Sequence, residues 1–487
     1  MANATNFTPP LHTVIVSDIH LTTAEPVHPK DPLWRRYKQR DFFIDRAFCG
    51  FLAHIRDKTA GEGPVELVLA GDIFDFDGIT QIPAQSDFPI SLLERLRGLH
   101  PEEPKSCVKM ELILQDHPEF FDGLSAFIKD GHRAVFIIGN HDLELHWPSV
   151  QRLVLNALRL APEEEGRVSF NNWFYIAGAD TLIEHGNQYD SHSNCQNPVN
   201  PLIRGLKQER IRLPFGCYAN RLMLNGMGYF NPHSERTFRM TTVEYLKFAF
   251  GHLLRKEPFL VWTWFWGACA TLIMTVKETL TPEVKDPLRV EDQIEEIAAK
   301  AQATPRVVRI LKEVHSTPMI FDPLSILREL WLDRAFLVLF SAFFAYQTIA
   351  AMNLVGRVSY WWMFAVFSLF LPFFMFYFAS MKSKTVVDVK YYEMAVKLIA
   401  QICDVKRVVF GHTHEFVHTS FDTVEYLNSG TWSPAFDDIA CTKPSCPKTF
   451  VWIRPDTTAA APENGGPVPR IANVFEWSPE GEARLLC

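Results

Sequence analysis

His412 and His414 stand two residues apart, directly after the apolar run Val408, Val409, Phe410 and a glycine, Gly411. On an extended segment, positions i and i+2 point the same way, so both imidazoles can face one small volume. Four earlier apolar runs end in side chains of the same kind. Val14, Ile15 and Val16 lead to Asp18 and His20, and Leu67, Val68 and Leu69 lead to Gly71 and Asp72. Phe136, Ile137 and Ile138 lead to Gly139, Asn140, His141 and Asp142, and Leu182 and Ile183 lead to Glu184 and His185. Each group alone has a bland reading: a capped turn for Asp18 and His20, a helix N-cap for Asp72, a hydrogen-bonded core histidine for His185. Repetition at successive strand ends favours a shared metal centre instead. Asp18, His20, Asp72, Asn140, His185, His412 and His414 offer imidazole, carboxylate and amide donors without a thiolate. Such a set suits Mn, Fe or Zn rather than Ca or a soft metal. One carboxylate can bridge two ions about 3.5–4 Å apart, and the pair generates a nucleophile at neutral pH and stabilises charge on attacking and leaving oxygens. That is the chemistry of phosphate-ester and phosphoanhydride hydrolysis.

These ends need a scaffold that gathers them. The β-branched runs alternate with helical patterns near residues 34–57 and 118–129, which indicates an α/β fold. In open α/β sheets, ligands collect beyond the strand carboxyl ends. A glycine adjoins four of the ends and is expected to allow the tight turn each needs. A chain of 487 residues holds two or three domain-sized units, and its net charge of −8 argues against a nucleic-acid partner. Nine scattered Cys cannot all pair, and no C-x-x-C is present, so a reducing compartment is expected. Cys441 and Cys446 lack companion cysteines for a zinc site. Residues 1–11 are polar with no apolar core, and the N-terminal part is expected to stay in the cytoplasm.

Asp18-x-His20, Gly71-Asp72, Gly139-Asn140-His141-Asp142, His185 and Gly411-His412-x-His414 resemble the motif series of the calcineurin-like metallophosphoesterases in order and residue type. The resemblance implies a four-layer α-β-β-α sandwich and a dinuclear centre. By analogy Asp18, His20, Asp72 and His414 hold one ion, and Asp72, Asn140, His185 and His412 hold the other, with Asp72 bridging. His141 would stand beside the leaving-group oxygen, its tautomer fixed by Asp142. Asn428 to Trp432 is similar to the strand that follows the last histidine pair in this family. The segment from Glu184 to Asp190 is similar to that of UDP-2,3-diacylglucosamine pyrophosphatases, which cleave a lipid-linked sugar nucleotide at a membrane surface. The best-known branch of that group carries Arg where this chain has His141. That difference bears on the substrate and leaves the superfamily resemblance as it is.

More than two hundred residues separate His185 from His412, far more than a loop needs. Arg204, Lys207, Arg210, Arg212, Arg221, Arg236, Arg239 and Lys247 open this insertion, as a solvated helical face or as contacts to phosphate groups. Three apolar stretches follow, at 259–276, 335–355 and 358–380, near the roughly 20 residues that span a bilayer as a helix. The donors on both flanks must meet in one site, so the chain must cross a membrane an even number of times. A hairpin of 335–355 and 358–380, turned at Gly356 and Arg357, satisfies this. Arg328, Arg334, Lys382, Lys384 and Lys390 make its open end basic, which places the catalytic part in the cytoplasm. The stretch at 259–276, with Trp262, Trp264 and Trp266, is then expected to be re-entrant or interfacial. Residues 290–314 read as soluble helices broken near Pro305.

The expected organisation is a metallophosphoesterase domain in two parts, 1–198 and 396–487, around an α-helical membrane-associated insertion at 199–395. The expected function is hydrolysis of a phosphodiester or pyrophosphate bond with two divalent ions, Mn before Fe or Zn. A lipid-linked substrate of the UDP-diacylglucosamine type leads, at a bacterial-type inner membrane and in contact with its lipids. Competing readings are a phosphodiesterase or phosphatase for another phospholipid, a nucleotide or a phosphoprotein, and a non-catalytic membrane scaffold. The sequence leaves the oligomeric state open.

Overall fold

The computed structural model describes residues 11–30, 35–205, 208–228, 247, 259–284, 286–380, 389–436, 443–445, 447–457, 468–478 and 480–487. Lys207, Arg236, Arg239, Lys382, Lys384, Cys441, Cys446 and most of the Pro/Gly/Ala-rich stretch after Ala459 lie outside these residues.

Strands run in the order β1 (His12–Val16), β2 (Val65–Ala70), β3 (Arg133–Ile137), β4 (Val168–Asn171), β5 (Phe174–Ala177) and β6 (Thr181–Glu184). There follow β7 (Leu202–Arg204), β8 (Glu209–Ile211), β9 (Arg407–Phe410), β10 (Phe416–Phe421), β11 (Val424–Ser429), β12 (Ala435–Phe436) and β13 (Pro444–Ser445). The last are β14 (Thr449–Pro455), β15 (Arg470–Trp477) and β16 (Ala483–Leu485). Two sheets dominate: a seven-stranded one ordered β16-β15-β14-β1-β2-β3-β4 and a five-stranded one ordered β10-β11-β9-β6-β5. β1, β2, β3 and β4 are mutually parallel, and β6 is parallel to β9 and β9 to β11. Parallel strands are covered on both faces, which is why β1, β2 and β9 carry the apolar runs Val14–Val16, Leu67–Ala70 and Val408–Phe410.

The inner faces of the sheets meet in a layer that includes Ile15, Val68, Ile137, Ile183, Val409 and Val451. Outside the first sheet, helix Asp45–Lys58 presents Phe48, Phe51, Leu52 and Ile55 at helical spacing, and helix Pro118–Lys129 presents Phe120, Phe121 and Leu124. Outside the second sheet, Val389–Cys403, Pro287–Lys300 and Pro305–Leu311 share a core with Val408 and Phe410. The result is the expected four-layer α-β-β-α arrangement. Helices at 287–311 lie within the insertion in sequence, yet they belong to the outer layer of this body.

Of the remaining insertion, Leu260–Leu280 and Leu332–Val355 are long and apolar enough to cross a membrane. The third apolar stretch is broken into Trp362–Ser368 and Leu371–Ser380, with Pro372 at the start of the second piece. It folds back on Leu332–Val355. Tyr377 Oη donates to Asp333 Oδ2 at 2.8 Å across the base, and Asn353 exchanges hydrogen bonds with Val358 at the turn. Phe340, Phe343, Phe344, Leu354, Trp361, Trp362, Phe364 and Phe376 stay exposed along this hairpin.

Three of the basic residues that open the insertion take neither expected role, whereas Arg204 and Lys247 are exposed. Arg210, Arg212 and Arg221 are buried. Arg210 pairs with Glu278, Arg212 donates to the carbonyls of Glu278 and Thr281, and Arg221 donates to the carbonyls of Gly98 and Leu99. Arg210 and Arg212 tie two parts of the insertion together, and Arg221 fastens the insertion to the body.

Candidate metal centre

β1, β2 and β3 lie side by side in the first sheet, and β6 and β9 lie side by side in the second. Their carboxyl ends therefore open at one edge of the sandwich, and all the predicted donors except Asn140 are drawn into three overlapping clusters there. Asp18, His20 and His414 form one, Asp72, His185 and His412 a second, and His20, Asp72 and His141 a third. His414 Nε2 stands 3.1 Å from Asp18 Oδ1 and 3.3 Å from His20 Nε2, and His185 Nε2 stands 3.1 Å from Asp72 Oδ2. Asn140 is buried at the end of β3.

Backbone bonds beyond the strands lock this edge. Asp18 N donates to Gly71 O at 3.1 Å, His20 N to Asp72 O at 2.9 Å and Gly411 N to His185 O at 2.9 Å. Asp18 Oδ2 accepts from His412 N at 3.0 Å, and Asp72 Oδ1 accepts from His141 N at 2.8 Å. Asp18, His20, Asp72, His412 and His414 all have left-handed backbone, with φ of 54°, 54°, 52°, 68° and 58°. Side chains rarely adopt that region, and its concentration at one edge is a mark of a functional site.

The glycines adjoining the strand ends serve the site more by size than by turning the chain. A Cβ on Gly139 would strike the Asp72 carboxylate and one on Gly411 would strike Ser17 and Asp18, although neither glycine has positive φ. Gly71 combines both demands: its φ is +87°, and a Cβ would lie 2.5 Å from the His185 ring.

Charges in the cluster bias one another. Burial alone would raise the Asp18 and Asp72 carboxyls, but the imidazoles around them hold both below the usual range. Burial would lower His185, yet Asp72 and Asp18 bring it up to about 9. His141 is likewise pushed down by burial and carried up to about 10 by Asp72, Asp75 and Asp77.

The partner expected for His141 changes. Both oxygens of Asp142 accept backbone amides, from Ile73 at 2.8 Å and Gly139 at 2.6 Å. Asp75 Oδ1 lies 3.3 Å from His141 Nδ1 and Asp77 Oδ2 3.6 Å from it. Asp142 thus braces the turn that carries His141, and Asp75 and Asp77 face the ring. Sequence reasoning passed over both, and their only signal was acidic residues three and five positions after a strand-end Asp.

Donor chemistry fits a metal centre. Asn140 Oδ1 is buried without a hydrogen-bond partner among the described residues, and Asp18 Oδ1 and His185 Nε2 are buried facing only other predicted donors, His414 Nε2 and Asp72 Oδ2, each at 3.1 Å. Buried polar atoms are almost always paired, so an orphaned amide oxygen beside carboxylates and imidazoles turned on one another matches a cation-binding role.

Residues 11–214 match the family model of the calcineurin-like phosphoesterases. Over that stretch the chain is similar to a calcineurin-like phosphoesterase domain. The matched domain indicates a hydrolase acting on phosphoester bonds; the matched family uses divalent metals, and the clusters above are candidate metal-binding groups. The matched residues of this phosphoesterase include Asp18 through His185; His412 and His414 come from beyond them, carried in by β9. No curated protein matches the chain.

Proposed function

We propose that the phosphoesterase is dinuclear and membrane-associated and acts on the phosphodiester or pyrophosphate bond of an amphiphilic substrate, with a UDP-diacylglucosamine-type lipid as the leading candidate. Asp18, His20, Asp72 and His414 would hold one ion, and Asp72, Asn140, His185 and His412 the other, Mn before Fe or Zn. The two ions would supply an activated water and neutralise charge on the phosphoryl oxygens. His141 holds a proton between Asp75 and the cluster and delivers it to the leaving oxygen. Asp142 keeps the His141 turn in place through the Ile73 and Gly139 amides.

One observation carries the lipid reading. Residues 215–227 touch the site on one side and the apolar helices on the other. Cys217 Sγ reaches Asn140 O at 3.2 Å, and Asn225 Nδ2 donates to Asp77 O at 2.7 Å. Phe215, Ala219 and Met223 pack with Trp264, Ala268, Leu332 and Phe336. A single wall between the metal cluster and an apolar surface suits a head group whose tails remain in lipid.

The chain path favours the hairpin as the crossing unit. Glu283 bridges to Ile203, and Pro287–Leu311 pack on the second sheet, so the chain is back on the catalytic body directly after Leu260–Leu280. That helix then lies along the body at the interface, with Trp262 and Trp266 exposed. Leu332–Val355 and the pieces at 362–380 cross and return, leaving the catalytic part on the cytoplasmic side of a bacterial-type inner membrane.

Detergent-purified protein with Mn²⁺ tests this on three substrates: a generic phosphodiester, a UDP-linked diacylglucosamine in mixed micelles and the same nucleotide sugar without acyl chains. Activity should fall in Asp72→Asn and His141→Ala, and the acylated substrate should be preferred. Unchanged activity in those variants rejects the site, and preference for the soluble analogue rejects the lipid.

A further inference from the structure

We propose that Asp190 is a positioning residue for the second ion: it grips His412 at Nε2 and thereby leaves Nδ1 as that imidazole's metal-facing nitrogen. The inference rests on the metal-centre reading above and goes beyond it. Asp190 Oδ2 lies 3.0 Å from His412 Nε2. Among the described residues the donor clusters do not include Asp190, whose carboxylate contacts are to His412 and His192. An imidazole has two nitrogens, and with one taken by a carboxylate the other is left for a cation.

The neighbouring imidazole is held the opposite way. His185 Nδ1 is bonded to Ala70 O at 3.0 Å, which leaves Nε2 facing Asp72. The two histidines of the second cluster thus differ in which nitrogen they present and in what backs them: a neutral carbonyl for His185, a carboxylate for His412. A carboxylate behind a ligating imidazole fixes its tautomer and strengthens it as a donor.

Asp190 is itself held. It ends the turn that follows β6, and its Oδ1 accepts from His192 N at 3.0 Å and faces His192 Nδ1 at 3.3 Å. The His192 carbonyl in turn accepts from Gly216 N at 2.8 Å, at the wall shared with the apolar helices.

The test is titration of Mn²⁺ alone into metal-free full-length protein in detergent. Calorimetry reads the affinities and electron paramagnetic resonance reads the coupled pair. Asp190→Asn keeps an oxygen for the His192 amide but loses the charge, and should weaken one of the two ions about 10–100-fold while sparing the other. Two unchanged affinities in Asp190→Asn overturn the proposal while the metal centre stands. Equal weakening of both ions with a lowered unfolding temperature also overturns it, since a folding role would act that way. Wild-type protein that binds no Mn²⁺ overturns the metal-centre reading and this inference with it.

Discussion

Gly71→Ala separates steric pressure on the metal site from backbone strain. Gly71 has φ of +87°, and an added Cβ would lie 2.5 Å from Cγ and Nδ1 of His185. Gly61 is its control, with φ of +85° and nothing within 4 Å of an added Cβ. The left-handed conformation costs a residue with Cβ about 1–2 kcal/mol, and overpacking a filled site costs a further 1–3 kcal/mol or so. Gly61→Ala should therefore lose about 1–2 kcal/mol and Gly71→Ala about 2–5 kcal/mol. The smaller entropy of the unfolded alanine chain is common to both and cancels in the difference. The excess in Gly71→Ala falls on His185, whose ring must leave the Ala70 carbonyl, so Mn²⁺ affinity should drop in Gly71→Ala alone. Urea unfolding in detergent gives the stabilities, and calorimetric Mn²⁺ titration gives the affinities. Equal stability losses in the two variants, or wild-type Mn²⁺ affinity in Gly71→Ala, would refute the steric account.

Chelation should lower the thermal midpoint, because ions held only by the folded protein stabilise it, by about 2.7 kcal/mol per ion at one hundred times its dissociation constant; an unchanged midpoint on adding EDTA counts against a bound metal. Acid should act through Glu94, which burial would raise but which hydrogen bonds from Lys105, Ser91 and the His100 amide hold down at about 2. Its contribution is complete above its ordinary value of 4.5 and is lost as pH falls towards 2. Glu94→Gln should therefore be less stable than wild type at neutral pH, with the gap closing between pH 4.5 and 2 in unfolding titrations.

The donors at the ends of β1, β2, β3, β6 and β9 were legible because each is announced by a local event, an apolar run that stops at a polar side chain. What surrounds them was not, because it depends on distant chain. Asp190 meets His412 across more than two hundred residues, and nothing near Asp190 in sequence announces that contact. Arg210, Arg212 and Arg221 look like surface charges until Glu278 and the carbonyls of residues 98 and 99 close over them. The helix Glu103–Asp116 falls outside the two helical patterns read near 34–57 and 118–129; its Pro104 sits in the first turn, where the missing amide costs nothing. Helices at 287–311 were grouped with the insertion by position, although their apolar faces match the second sheet. The glycines at the strand ends were expected as turn residues, whereas Gly139 leaves room for the Asp72 carboxylate and Gly411 for Ser17 and Asp18.

β6 takes β5 on one side and β9 on the other, and β1 takes β2 and β14. During translation the β5–β6 pair must therefore wait, one edge open, until the entire hydrophobic hairpin has left the ribosome. Assembly of the second sheet follows placement of that hairpin, and closure of the catalytic edge comes last of all. A recombinant fragment cut at residue 214 would stop before either late neighbour arrives. It would be left with bare strand edges and the inner-layer side chains of Ile15, Val68 and Ile183 in water, a recipe for inclusion bodies rather than a minimal enzyme.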